Sequence, residues 1–432
     1  MLYYFAMKKY IIILVFLLFI LTLHAQSAAI QSAMKNFDFE TALRLMAKEK
    51  QTPELAFQKA KCYKNLGKYN ASIVLLEELV KQDGTGLAEV NELADCYQLV
   101  GNYKKAKFFY SMALQTAPDS RFAQLNSLSI LYKLKEWNQT IKLAHSVLQK
   151  DSLSTLYPVL GDCFFQLSKL DSATYYYQKA LANTPDDYNT LAKLAKLYIQ
   201  SEKYHELLRS TNQYLLSDST NQVINQYNGI GHCMNHDYNK AIYRLNKNLQ
   251  QGDSSYTTNY YLGACYFATK DYITAYERLD AAYRKDSSNT NLFLYFGKAA
   301  ILSGHQQKGI DVLNKGLSQI IPKDTVLFNF YYNISVGYNR LFYNCLDEIK
   351  YLKLCWKVNP DYKLSLYTIA SIYDERLKKY EEALEYYRLF LTTRTKPVKV
   401  PDGSAPTISY YTVAENRIAD IRTEMEAKKK SK

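Results

Sequence analysis

The chain has little that would interrupt a helix. Its 432 residues include only 15 glycines and 9 prolines, which suits a nearly all-helical protein rather than a loop-rich one. Cysteine is sparse too: seven residues, an odd number, with no CxxC. There is no GxSxG, no glycine-rich phosphate loop, no HExxH and no Cys/His pairing at metal-finger spacing. These absences leave a non-enzymatic protein without a cofactor as the expectation. Concentrated charge is missing as well. The net charge is +13, of which Lys8 and Lys9 lie near the N-terminus and Lys428, Lys429, Lys430 and Lys432 in the tail. The remaining excess is spread along the chain, which favours solubility and weak attraction to acidic surfaces but defines no site.

Apolar runs are confined to one place. Residues 1–25 read as a secretory leader: Lys8 and Lys9 precede an almost unbroken apolar run from Tyr10 to Leu23, and Ala25 offers a small residue for cleavage. The run is shorter than the roughly 20 residues that span a bilayer. Cleavage is therefore preferred over an uncleaved anchor. No cysteine follows the run until Cys62, so a lipoprotein anchor is not indicated. The expectation is an exported protein of the periplasm or cell envelope, with no stable membrane insertion once the leader is gone.

What is abundant is tyrosine, 41 residues, and it recurs at fixed intervals. The stretch Leu87–Ser120 sets the frame. Counting Leu87 as position 1, large apolar residues fall at positions 4 (Val90), 7 (Leu93) and 11 (Tyr97), with small Ala94 at 8. Gly101 at 15 marks a turn. Tyr103 at 17, Ala106 at 20, Tyr110 at 24, Ala113 at 27 and Pro118 at 32 complete a second segment. Spacings of three and four mean two amphipathic helices joined by a tight turn. The frame recurs over 53–393, with residues 26–52 as a partial repeat at the N-terminal end. It is clear at Tyr157, Leu160, Gly161 and Tyr177, and again at Leu262, Gly263, Tyr272 and Ala275. It departs at Leu207, where a bulky residue replaces the small one at position 20. It is ambiguous around 229–238, where Gly229 and Gly231 offer two registers, weak at Gln306 and Gly309, and loosest over 324–361. A linker is expected over 394–407, whose prolines forbid continued helix. Beyond it, 408–432 carries apolar residues at helical spacing (Tyr411, Ala414, Ile418, Ile421, Met425) and reads as a capping helix with a basic tail.

This unit resembles the tetratricopeptide repeat. The resemblance implies an all-α, right-handed α-solenoid of about ten helix-turn-helix repeats with a C-terminal capping helix. It also implies a concave surface lined by the first helix of each repeat, at positions 2, 5, 9, 12 and 13. Carried onto this chain, those positions give Asn91 and Asp95, Asp162 and Phe165, Asn189 and Lys196, Tyr260 and Phe267, Lys298, and Tyr367 and Asp374. The lysine and asparagine set by which some such proteins clamp a peptide's terminal carboxylate is absent.

Two other features carry a chemical reading beside a bland one. His232 and His236, four apart, could share a helix face and chelate a transition metal, but a polar turn at 235–237 breaks that geometry, and no metal site is expected. Acidic pairs such as Glu381-Glu382 and Asp186-Asp187 fall at helix starts, where carboxylates complement the dipole. Cys62, Cys96, Cys163 and Cys265 all sit at position 10. Equivalent positions in stacked helices lie roughly 8–10 Å apart or more, beyond the about 7 Å a disulfide allows, so these are expected to be core. Cys233, Cys345 and Cys355 lie in less regular stretches, where one bridge stays open.

The function expected is a scaffold that holds a protein or peptide segment along the concave face, with no nucleic-acid partner. A carbohydrate-capture protein, prompted by groove aromatics such as Tyr260 and Phe267, is the alternative. RNA binding ranks below it, because position 5 varies from Phe57 to Ala192 to Tyr260 and because export argues against it.

Overall fold

The computed structural model describes residues 27–81, 86–319, 324–341, 344–394 and 409–430. The leader expected at 1–25 and nearly all of the linker expected at 394–407 lie outside the described residues. Every regular element among them is helical, and the fold is an α-solenoid of helical hairpins. The chain divides into two units, 1–185 and 186–432.

The first unit holds five hairpins. Helix α1 covers 27–35 and α2 covers Phe39–Met46; Ile30, Ala42 and Met46 close them against Cys62 of the next hairpin. Then come α3 (Pro53–Asn65) with α4 (Tyr69–Val80), α5 (Leu87–Leu99) with α6 (Tyr103–Thr116), α7 (Arg121–Lys133) with α8 (Trp137–Lys150), and α9 (Leu156–Gln166) with α10 (Leu170–Asn183). The second unit holds six more: α11 (Tyr188–Gln200) with α12 (Tyr204–Leu215), α13 (Gln222–Met234) with α14 (Tyr238–Gln250), α15 (Tyr256–Ala268) with α16 (Tyr272–Lys285), α17 (Thr290–Leu302) with α18 (Gln306–Gln319), α19 (Asp324–Arg340) with α20 (Cys345–Val358), and α21 (Leu364–Ser371) with α22 (Tyr380–Thr392). A five-residue π-helix, Ile372–Arg376, extends α21, and the single helix α23 (Tyr410–Lys430) ends the chain. Among the described residues no helix is long and apolar enough to cross a membrane.

Local chemistry explains the constancy of the hairpin. Side chains before the helices accept hydrogen bonds from otherwise unpaired amides: Asn102 from Lys105, Ser120 from Ala123, Asn221 from Ile224, Ser255 from Thr258. Such a cap contributes about 1 kcal/mol to its helix. The turn is set at position 15, where φ is positive in eight successive hairpins: Gly67, Gly101, Lys135, Ser168, Glu202, His236, Lys270 and Gly304. One left-handed residue stops the first helix and aims the second back along it.

Position 8 is small because the two helices of a hairpin cross there. A Cβ on Gly161 would lie 2.4 Å from the Tyr177 ring, and one on Gly263 would lie 2.5 Å from Leu279. Gly229 has the same relation to Leu245, at 2.6 Å, which fixes the register of the ambiguous sixth repeat. Gly309 is likewise the small residue its position needs: a Cβ there would stand 2.6 Å from the Gly297 carbonyl oxygen. Fully buried Tyr110 and Phe293 show where the energy comes from, at roughly 2 kcal/mol per large apolar side chain removed from water. The loosest stretch in sequence, 324–361, forms a complete hairpin around buried Phe330, Ile334, Ile349 and Leu352.

Candidate binding surface

The first helix of each hairpin carries the candidate groove residues, and the structure separates all but Asn189 and Lys196 into three kinds. Some are consumed by contacts between repeats. Asp95 of α5 receives the Lys64 ammonium of α3 at 2.8 Å, and Glu92 receives it at the same distance. Burial alone would lower the Lys64 ammonium, but these two carboxylates outweigh it and hold it above its ordinary value. Asn91, one turn before Asp95, is half-buried, and its side-chain oxygen is buried without a hydrogen-bond donor. Asp162 of α9 accepts from Tyr177 at 2.7 Å in its own hairpin and from Tyr132 at 3.0 Å in the preceding one. Burial, then the Asp162 charge, pushes the Tyr132 phenol up to about 12. Phe165 is half-buried one turn further along.

A second kind is covered by the C-terminal helix. Asp374, expected to face a groove, is fully buried. The π-helical turn carries it against Arg417 of α23, which donates through Nε at 2.7 Å and Nη2 at 2.8 Å. Its neighbour Tyr367 packs on Tyr387, Phe390 and, at 5.0 Å between centroids, Tyr410 of α23. Asp374 is therefore corrected from groove residue to docking residue. A carboxylate wholly enclosed by α22, the π-turn and α23 cannot meet a ligand, and its pairing with Arg417, 43 residues away, was invisible to a position-by-position transfer.

The third kind comes together. Tyr260 and Phe267 of α15 meet α17 through Tyr295, which stands edge-on to both, at 6.3 Å and 5.7 Å. Lys298, one turn from Tyr295, places its Nζ 5.6 Å from the centre of the Phe267 ring. Tyr256 stacks on Tyr260 at 5.6 Å. Among the described residues no carboxylate pairs with Lys298, and burial alone lowers its ammonium below the ordinary value. Tyr295 was missed because it holds position 6, outside the five carried over. The signal was its place one turn before Lys298. Asn189 and Lys196 of α11 are exposed.

The two histidines part company. His236 is the left-handed turn residue and bonds the Tyr238 hydroxyl at 2.7 Å, whereas His232 lies in the last turn of α13, buried, 3.4 Å from Asp237. They share no helix face. Among the described residues no group of three or more His, Cys, Asp or Glu side chains is placed to hold a metal ion.

Comparison with known proteins places the repeats. The family model described as tetratricopeptide repeat matches residues 53–85 and 365–395, and that described as anaphase-promoting complex, cyclosome, subunit 3 matches 234–316. No curated protein matches the chain significantly. Similar solved structures include a tetratricopeptide repeat protein from Parabacteroides merdae, 14% identical, covering 58% of this chain and 98% of that one with a TM-score of 0.42. The C-terminal part of a repeat-containing protein from Cytophaga hutchinsonii is 14% identical, covering 55% and 96%, with a TM-score of 0.42. YrrB, described as having an unusual peptide-binding site, is 19% identical, covering 44% and 96%, with a TM-score of 0.39.

Proposed function

Starting from a chain that is a tetratricopeptide-repeat protein, we propose that it is a non-enzymatic scaffold of the cell envelope that holds a partner polypeptide against Tyr260, Phe267, Tyr295 and Lys298. The observation that carries this reading is Lys298. A half-buried ammonium that has no carboxylate beside it among the described residues loses hydration without return, and free-standing folds have little use for that. Set over the Phe267 ring, it suits a partner segment with a carboxylate flanked by apolar side chains, which would restore the missing charge and cover the ring. Tyr260 and Phe267 turn toward Tyr295 edge-on. Tyr260 is also stacked on Tyr256 and Phe267 packs on Tyr272; rings already engaged in this way favour a polypeptide over the sugar-stacking alternative. Export rests on the leader-like residues 1–25 and on the sequence alone.

The test is a photo-crosslinking residue placed at Tyr295 in the native cell, with the same probe at outward-facing Tyr243 as control. A protein adduct formed at 295, absent at 243 and lost in Lys298→Glu, is the expected result. A glycan or RNA adduct at 295, or a protein adduct indifferent to Lys298→Glu, overturns it. Fractionation with sequencing of the mature N-terminus tests the location: a chain beginning after Ala25 outside the cytoplasm supports it, and a cytoplasmic chain that keeps residues 1–25 sinks it.

A further inference from the structure

All seven cysteines are thiols, but they are not alike. Cys96 neighbours the Ser72 hydroxyl at 3.3 Å, and Cys163 has Thr140 as its hydrogen-bond partner. Each is a small core group facing a small core group. Cys233 and Cys265 instead share one packed cluster with Ala241, flanked by Tyr238, Ile242 and Tyr261.

Their register explains the meeting. Cys265 holds position 10 of its repeat, but Cys233 holds position 12 of the repeat before, so the wide spacing of equivalent positions does not apply to them. Helices α13 and α15 come within 8 Å at their Cα atoms. A disulfide prefers Cα atoms roughly 5.5–6 Å apart, and the two thiols already meet in a hydrogen bond between these helices. The two thiols are also unequal. Cys265 is wholly buried, whereas Cys233 keeps a thin opening to solvent at 8% exposure. The hydrogen bond from Cys265 lowers the Cys233 thiol, and the same bond together with burial raises that of Cys265. Its exposure makes Cys233 the sulfur an incoming disulfide meets first and leaves enclosed Cys265 to resolve.

We propose that Cys233 and Cys265 form a thiol–disulfide exchange pair, convertible to a disulfide by a small-molecule or protein disulfide. The Cys233 thiolate attacks one sulfur of the incoming disulfide; a mixed disulfide forms, and the departing thiolate takes up a proton. Cys265 gives up its proton and attacks the Cys233 sulfur, and the second thiol leaves. Two protein thiols become one disulfide, and the incoming disulfide is reduced to two thiols. The bridge would tie the first helices of two successive hairpins together around the whole of α14, beneath Tyr261 and its neighbour Tyr260. It depends on packing within α13–α15 alone and not on the partner reading above.

The experiment uses the full chain, incubated folded with oxidised glutathione, blocked with N-ethylmaleimide, unfolded, and mapped by mass spectrometry. The expected product joins the Cys233 and Cys265 peptides with loss of two hydrogens. Cys62, Cys96, Cys163 and Cys355 remain thiols, and half-exposed Cys345 reports unpaired glutathione addition. The bridged protein melts about 5 °C higher than the reduced one, and dithiothreitol reverses the shift. In Cys265→Ala, Cys233 keeps one glutathione as the trapped intermediate; in Cys233→Ser, Cys265 takes up none. Free thiols at both positions after oxidation, or a bridge from Cys233 to any other cysteine, overturns the proposal.

Discussion

Leu207 fills the space that Gly231 leaves empty. A Cβ on Gly231 would stand 2.9 Å from Cδ2 of Leu207 and 3.1 Å from Cδ2 of Leu208. Elsewhere this contact, between position 20 of one repeat and position 10 of the next, pairs a small residue with a cysteine: Ser72 with Cys96, Ala241 with Cys265. Here the bulk has changed sides. Gly231→Cys, which writes in the residue found at the equivalent positions, should cost roughly 1–3 kcal/mol by overpacking. In a Leu207→Ala background the same substitution should be close to neutral. Urea denaturation of the four proteins measures the coupling; equal costs in both backgrounds would show that the two residues do not compensate.

The turn at position 15 makes a second prediction. Glu202 and Lys270 hold φ of 55° and 67° there, and Gly101 holds 78°. A residue with a Cβ is strained in this region and glycine is not. Glu202→Gly and Lys270→Gly should each raise stability by roughly 0.5–1 kcal/mol, and Gly101→Ala should lower it by about 1 kcal/mol. Calorimetry on each variant checks the signs. Opposite signs would mean that the turn is held by something other than its backbone.

These contacts show what could be read in advance and what could not. The second helices begin at Tyr69, Tyr103, Trp137, Tyr204, Tyr238 and Tyr272, all at position 17, because turn, crossing point and aromatic recur at one spacing and each reinforces the others. Leu207 and the Gly229–Gly231 stretch stood out in sequence as two separate irregularities, and only packing shows that Leu207 and Gly231 are one. The aromatic cluster was half legible: Tyr260, Phe267 and Lys298 sit at repeat positions, but Tyr295 joins them through a crossing between repeats that no single repeat encodes. Asp374 was legible as a position and misread as a surface, since burial depends on α23, which lies beyond the linker.

One polar contact of that helix is made to a fully buried carboxylate. Asp374 is fully buried and paired to both Nε and Nη2 of Arg417. The same π-turn sends Arg376 to the buried carboxylate of Glu348 on α20, at 2.5 Å. Arg417→Ala strands a buried carboxylate and should cost roughly 3–5 kcal/mol, exposing residues 410–430 to hydrogen exchange and to limited proteolysis. Adding Asp374→Asn removes the stranded charge and should recover part of that loss. Full protection of α23 in Arg417→Ala would show that Ile418 and Ile421 hold it without the ion pair.

Lys298 sets stability against binding. Its ammonium is half-buried against Phe267 and unpaired among the described residues, with its proton affinity lowered by burial. Lys298→Met keeps the length of the side chain and removes the stranded charge, so the free protein should gain roughly 1 kcal/mol, at the low end for such a replacement because burial is partial. The sign of the pH dependence follows from the same shift. Between the lowered folded value and the ordinary 10.5, the unfolded chain binds more protons than the folded one, so wild-type stability rises with pH across that window. The advantage of Lys298→Met over wild type should shrink there and persist at neutral pH, as urea titrations at neutral and alkaline pH would measure. Residues retained only for folding do not become more stable when removed, whereas residues retained for a partner commonly do. Lys298→Met should therefore be more stable than wild type and still lose the adduct formed at position 295. A variant less stable than wild type would make Lys298 a structural residue, and the aromatic cluster would lose the feature that singles it out.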